Sequence, residues 1–220
     1  MGSQEDRKLR IAGELVETGN WIDVTNPFGG ELIARVPAAD AGLVDKAIAS
    51  AKAALGRGDW PQWARAEALD KAALLLADRV SDFGRTIALE AGKPVKQANV
   101  EAERAVGTLK FSADEARRLA GEMVPMEGGP AGAGKLGFIL RVPVGVVGAI
   151  SPFNFPLNLV AHKLGPALAA GCPVVLKPAS ATPLSAIALV ELLIEARVPA
   201  DYVHVVAGPG AQTGDPLVDS

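Results

Sequence analysis

The sequence predicts an α/β fold built on a parallel sheet with helices packed against it, and three observations carry that reading. Three short segments rich in β-branched residues, 144–150, 173–176 and 202–206, are separated by two stretches of helical length. They read VGVVGAI, VVL and VHVV, apolar throughout rather than alternating, as strands covered on both faces do. The order strand, helix, strand, helix, strand then calls for the right-handed crossovers that join parallel neighbours.

Along the chain, residues 9–37 mix β-branched residues with Asn26-Pro27 and Gly29-Gly30, which predicts short strands and turns at an edge of the molecule. From Asp40 to about Leu119 the spacing becomes helical, with Leu43, Ala47 and Ala51 on one face and Leu69, Leu74, Leu75 and Leu76 in a longer run. Glu90-Ala91-Gly92-Lys93-Pro94 closes one of these helices, since Gly92 can take a left-handed cap and Pro94 cannot continue the helix. The glycine-rich stretch 128–137 leads to Phe138, Ile139, Leu140 and Val142, which read as a strand reached through a hairpin. Residues 156–170 are mostly apolar and of helical length. Thr182-Pro183 then opens a helix to Ala196, with the threonine as N-cap and the proline at the first helical position. The organisation expected is 1–123, strands and helices; 124–142, a hairpin; and 143–220, the part holding the parallel sheet.

Composition bounds the function. The 220 residues are 49% hydrophobic, ample for a buried core, and carry a net charge of -3 with no basic block to follow a phosphate backbone, so no nucleic-acid partner is expected. The opening MGSQEDRKLR is too polar for a secretory leader, and no apolar run approaches the roughly 18 to 20 residues that span a bilayer. A cytoplasmic chain with no membrane partner is the expectation. One cysteine, Cys172, excludes an intrachain disulfide, and two histidines without acidic or thiol partners at ligand spacing predict no metal site. Redox chemistry would have to come from an organic cofactor.

Ligands of such sheets bind beyond the carboxyl ends of the strands, which selects Ser151-Pro152-Phe153-Asn154, Lys177-Pro178-Ala179-Ser180 and the loop 208–214. The glycines of 208–214 either let the backbone approach a cofactor near a helix N-terminus or form a simple tight turn; the spacing is G-x-G-x-x-x-G. Lys177 either holds a phosphate or ribose hydroxyl or is the first solvated residue after the sheet. Asn154 either donates its amide to a developing oxyanion or bonds its own turn. Cys172, in Gly171-Cys172-Pro173 at the opposite end of the strands, reads as a small buried residue rather than a nucleophile.

Taken together, RVPVGVVGAISPFNFPLNLVAHKLGPALAAGCPVVLKPASATPLSA closely resembles the corresponding stretch of the NAD(P)-dependent aldehyde dehydrogenase superfamily. PFNFP, KLGPALAAG, VVLKP and the GPG loop come in family order and spacing, EAGKP upstream agrees, and the resemblance runs from near residue 15 to the end. It implies a Rossmann-like coenzyme-binding sheet, NADP or NAD as cofactor, and oxidation of a small-molecule aldehyde to a carboxylate. By the same resemblance Asn154 is similar to the family's catalytic asparagine, and Ile150, Ser151, Pro152 and Phe153 to the wall on the nicotinamide side. Lys177 and Ser180 resemble the pair facing the adenosine ribose, Gly210 and Gly214 the bed under the adenine, and Phe155 a residue shaping the aldehyde passage. Residues 124–142 resemble the family's oligomerisation hairpin, which implies a homo-oligomer, dimer or tetramer.

Ser180 stands where strict NAD enzymes of the family tend to carry a glutamate. A serine implies that NADP binds at least as well as NAD, its hydroxyl donating to the 2′-phosphate. The family pattern continues beyond Ser220 into a Phe-x-Gly-Ser loop, a glutamate general base and a cysteine nucleophile. On that pattern residues 1–220 are a fragment or a truncated product, inactive alone. Two further functions stay open: a coenzyme-A-acylating aldehyde dehydrogenase, and a non-catalytic nucleotide-binding or assembly module.

Overall fold

The computed structural model describes residues 6–220, so residues 1–5 of the polar opening segment lie outside the described residues. Two antiparallel pairs come first, β1 (Leu9–Ile11) with β2 (Glu14–Val16) and β3 (Trp21–Thr25) with β4 (Leu32–Pro37). The turn between β3 and β4 forms because the Asn26 side-chain oxygen accepts the N–H groups of Phe28 and Gly29, and Gly30 takes a left-handed φ of 73°.

Four helices follow: α1 (Ala41–Arg57), α2 (Gln62–Asp78), α3 (Val80–Ala91) and α4 (Val95–Arg118). Asp40 caps α1 by accepting the N–H of Leu43, and Val44, Ala47, Ile48, Ala51 and Ala54 form its buried stripe. In α2 the stripe is Leu69, Ala72, Ala73 and Leu76, so Leu74 points outward from the leucine run. Gly92 ends α3 in the left-handed conformation, with φ 63°, and α4 starts just after Pro94. Strands β5 (Glu122–Val124) and β6 (Gly137–Ile139) pair antiparallel, with Glu122 opposite Ile139. The hairpin thus begins two residues before 124, and its second strand stops at Ile139.

The last third alternates β7 (Val147–Ile150), α5 (Asn158–Ala170), β8 (Val174–Lys177), α6 (Leu184–Glu195) and β9 (Val203–Val205), then a π-turn at Gly210–Gly214 and the short α7 (Asp215–Val218). The three strands make one parallel sheet in the order β7-β8-β9, with Ile150 opposite Lys177 and Leu176 opposite Val205. All four residues of central β8 are buried, which accounts for its unbroken apolar run. Pairing in β7 starts at Val147, whose N–H donates to the Pro173 carbonyl at 2.8 Å, so 144–146 are not part of the strand. Val144 is exposed there and Gly145 sits at φ 144°, a conformation a β-branched strand residue would resist.

One expectation fails in an informative way. Thr182 does not cap α6: the helix starts at Leu184, and the Thr182 hydroxyl is buried without a hydrogen-bond partner. The cap comes from Glu90 in α3, whose carboxylate accepts the N–H groups of Leu184 and Ser185 and the Ser185 hydroxyl. Buried Glu101 of α4 does the same for α5, accepting the N–H groups of Leu157 and Asn158 at 3.0 and 3.1 Å. Carboxylates from two helices therefore satisfy the donors at the starts of both crossover helices. Among the described residues no helix is long and apolar enough to cross a membrane.

Candidate functional site

The parallel register decides which loops share an edge. Because Ile150 lies opposite Lys177 and Leu176 opposite Val205, the segments after β7, β8 and β9 leave the sheet side by side. Ser151 extends the ladder, its N–H donating to the Lys177 carbonyl at 3.0 Å, and is buried, whereas Pro152, Phe153 and Asn154 are exposed. Ile150, the last residue of β7, is 44% exposed on the same edge.

After β8, Lys177 keeps only 7% of its surface accessible, and its Nζ lies 3.5 Å from the Pro178 carbonyl oxygen. Burial lowers its pKa from the ordinary lysine value, because its ammonium has lost water without gaining a counter-charge. A Cβ added at Gly214 would sit 3.5 Å from Lys177 Cε, so the π-turn lies directly over the lysine stem. Gly208 is tight against Thr213 and the Ala39 carbonyl, but a Cβ at Gly210 would meet nothing within 4 Å. The Ser180 hydroxyl donates to the Gly208 carbonyl at 2.8 Å, joining the loops after β8 and β9. In this arrangement its one proton is engaged within the chain and only its lone pairs face outward.

Asn154 is held by its main chain. Lys93 Nζ donates to the Asn154 carbonyl at 2.9 Å and to the Glu101 carboxylate, and lies 4.0 Å from the centroid of the Phe155 ring. Glu101 in turn fixes the N–H groups of Leu157 and Asn158, so both ends of the Asn154 turn are anchored. The Asn154 side-chain amide makes no hydrogen bond among the described residues, and its donors remain available.

The structure thus gathers Ile150, Ser151, Pro152, Phe153, Lys177, Ser180, Gly210 and Gly214 at one edge of the sheet, with Asn154 and Phe155 at its α4–α5 side. Sequence reasoning missed Lys93, Glu101 and Glu90. The signal for two of them lay in EAGKP, which reads as a helix stop and as part of the family resemblance but assigns neither residue a partner; Glu101 lies within a helix and carries no local mark. The other titratable residues singled out are structural. Cys172 is buried, its N–H donating to the Ala167 carbonyl. His204 is buried, accepts the Ala12 N–H on Nδ1 at 3.0 Å, and has its pKa lowered by burial. No group of three or more potential metal ligands occurs among the described residues.

Comparison with known proteins gives the family and the fold. A family profile described as the aldehyde dehydrogenase family matches residues 15–220. The chain is 45% identical over 212 residues to a 3-sulfolactaldehyde dehydrogenase of Priestia megaterium, covering 96% of this chain and 44% of that protein. It is 43% identical over 210 residues to aspartate-semialdehyde dehydrogenase 1 of Pseudomonas canavaninivorans, covering 95% and 44%. Among solved structures, an NADP-dependent glyceraldehyde-3-phosphate dehydrogenase of Bacillus halodurans complexed with NADP superposes with a TM-score of 0.94 at 39% identity, over 98% of this chain and 46% of that one. The chain spans less than half the length of these relatives.

Proposed function

This chain belongs to the aldehyde dehydrogenase family, and from that premise we propose that it forms the coenzyme-binding half of an enzyme that oxidises a small-molecule aldehyde to its carboxylate with NADP or NAD. The observation that carries the reading is Asn154: its turn is anchored through main-chain contacts to Lys93 and Glu101 while its amide stays unengaged, at the edge where the three strand ends converge. An amide held rigidly and left free can donate to the oxygen that becomes negative when a nucleophile adds to an aldehyde.

The coenzyme, when bound, accepts the hydride. The residues that fit it are those at the strand ends, on a Rossmann-like sheet. Gly210 leaves open space, and Gly214 passes over the Lys177 stem without adding a side chain there. Lys177, buried and without a counter-charge, gains from an anion or ribose hydroxyl beside it. Ile150, Pro152 and Phe153 offer apolar surface to the nicotinamide side. The helix N-termini of α5 and α6 are left out of phosphate binding, since Glu101 and Glu90 already occupy their donors.

An assembly role accompanies the enzymatic one. Met123, Phe138, Ile139, Leu140 and Val142 are exposed on and beside the β5–β6 hairpin, an apolar surface that supports pairing of 124–142 with a second copy.

In the complete protein carrying this chain, aldehyde-dependent coenzyme reduction is expected, and Asn154→Ala is expected to lower turnover by roughly a hundredfold to a thousandfold, the scale of one oxyanion donor. Its melting temperature should stay near wild type. A variant that melts far earlier yet keeps its turnover would reduce Asn154 to a turn residue and remove the support for this reading.

A further inference from the structure

Two tryptophans flank the start of α2, Trp60 just before it and Trp63 in its first turn. With Ala64 and Ala68, one turn apart on the same face, they wall a cavity of about 410 Å³ that the end of α6 closes at Arg197. The two alanines leave the space that the indoles bound. Trp60 is buried and fixed, its ring edge-on to Tyr202 with centroids 4.9 Å apart, whereas Trp63 is 65% exposed. Neither indole N–H has a hydrogen-bond partner among the described residues. Tyr202 directly precedes β9, so the cavity lies at the amino ends of the strands, opposite Ser151, Lys177 and Gly208.

The rim of the cavity is cationic. Helix α6 ends in a tight turn in which the Arg197 N–H donates to the Ile194 carbonyl at 2.9 Å and the Val198 N–H to that of Leu193 at 3.0 Å. Arg197 takes a φ of 79° there, the left-handed position where glycine is the usual residue. The turn therefore has no need of an arginine, and the exposed guanidinium makes no hydrogen bond or ion pair among the described residues. Lys71 Nζ donates to the Glu195 carbonyl at 3.0 Å, while the Glu195 carboxylate is taken by Arg79 at 2.6 and 2.7 Å. Among the described residues that line the cavity Glu67 is the only carboxylate, and it also lies within electrostatic reach of Arg117 on α4.

We propose that this cavity binds a planar aromatic carboxylate of one or two rings, its ring against Trp63 and the open edge of Trp60 and its carboxylate on Arg197 and Lys71. Indoles take aromatic planes by offset or edge contacts, and a guanidinium fork takes a carboxylate through two parallel hydrogen bonds. The volume of about 410 Å³ falls in the range of small-molecule sites. The site is independent of the aldehyde-oxidising reading.

The test is calorimetric titration of 2-naphthoate, and of the neutral 2-naphthylmethanol, into the complete protein. Saturable binding of 2-naphthoate is expected, with the alcohol at least about tenfold weaker, the scale of one charge-assisted hydrogen bond. Arg197→Gly should weaken 2-naphthoate by a similar factor while melting at or above wild type, because glycine suits that φ. Trp63→Ala should weaken both probes, and Glu67→Gln should tighten 2-naphthoate alone. No saturable binding of 2-naphthoate by wild type, equal affinity for the acid and the alcohol, or an affinity unchanged in Arg197→Gly and Trp63→Ala overturns the inference.

Discussion

The Glu90 carboxylate, near the end of α3, accepts the main-chain N–H of Leu184 at 2.7 Å, and so closes the first turn of a helix 94 residues farther along the chain. It also takes the N–H and hydroxyl of Ser185. Burial raises the Glu90 pKa from 4.5 to about 7, outweighing the hydrogen bonds that pull the other way.

The sign of the pH effect follows from that shift. Between about 4.5 and about 7 the folded protein keeps a proton on Glu90 that the unfolded chain has released. The contribution to stability is therefore full below the lower value, falls as pH rises through the window, and is lost above it. Melting curves across this range should show Glu90→Gln with a flatter pH dependence than wild type; parallel curves would contradict the assignment. Glu90→Ala should cost about 1 to 3 kcal/mol, since buried donors lose their acceptor.

Glu101 and Lys93 couple fold to site. Removing Glu101 leaves the buried Leu157 and Asn158 N–H groups without their acceptor and a part-buried Lys93 without its counter-charge, so Glu101→Ala should destabilise by roughly 1 to 3 kcal/mol. Lys93→Met keeps the packing on Phe155 but frees the Asn154 carbonyl, and is expected to lower turnover more than it lowers melting temperature. If its only effect were on melting temperature, Lys93 would be structural and not a positioning residue for Asn154.

On the proposed reading, coenzyme choice turns on Ser180 and Lys177. With the Ser180 proton given to Gly208, the serine would favour NADP by carrying no negative charge rather than by donating to the phosphate. Ser180→Glu should shift the NADP to NAD affinity ratio toward NAD by about tenfold or more, from a repulsion on the order of 1 to 3 kcal/mol. Lys177→Ala should weaken NADP more than NAD. Calorimetric titration of both coenzymes reads these ratios, and an unchanged ratio in Ser180→Glu would sink the argument.

The parallel sheet was legible because burial on both faces of β8 leaves its mark in every residue, VVL followed by Lys177. The strand-end loops were legible for the same reason, since they follow directly from where those runs stop. The caps were not. Thr182-Pro183 has the local chemistry of a helix start, but the donors at Leu184 and Ser185 are taken by Glu90, and sequence spacing cannot register a partner 94 residues away. The anchoring of Asn154 by Lys93 and Glu101 escaped for the same reason: it depends on the packing of α4 against α5, a tertiary contact with no local signature.

The central claim is that the ends of β7, β8 and β9 cradle NADP or NAD, and titrating NADP into the complete protein and its Gly210→Glu variant tests it most directly. A Cβ at Gly210 meets nothing within 4 Å, so the glutamate fits the fold and places a carboxylate on the coenzyme bed. Saturable binding to wild type is expected, weakened by at least about tenfold in the variant at an unchanged melting temperature. Equal binding by both proteins, or none by wild type, would contradict the claim.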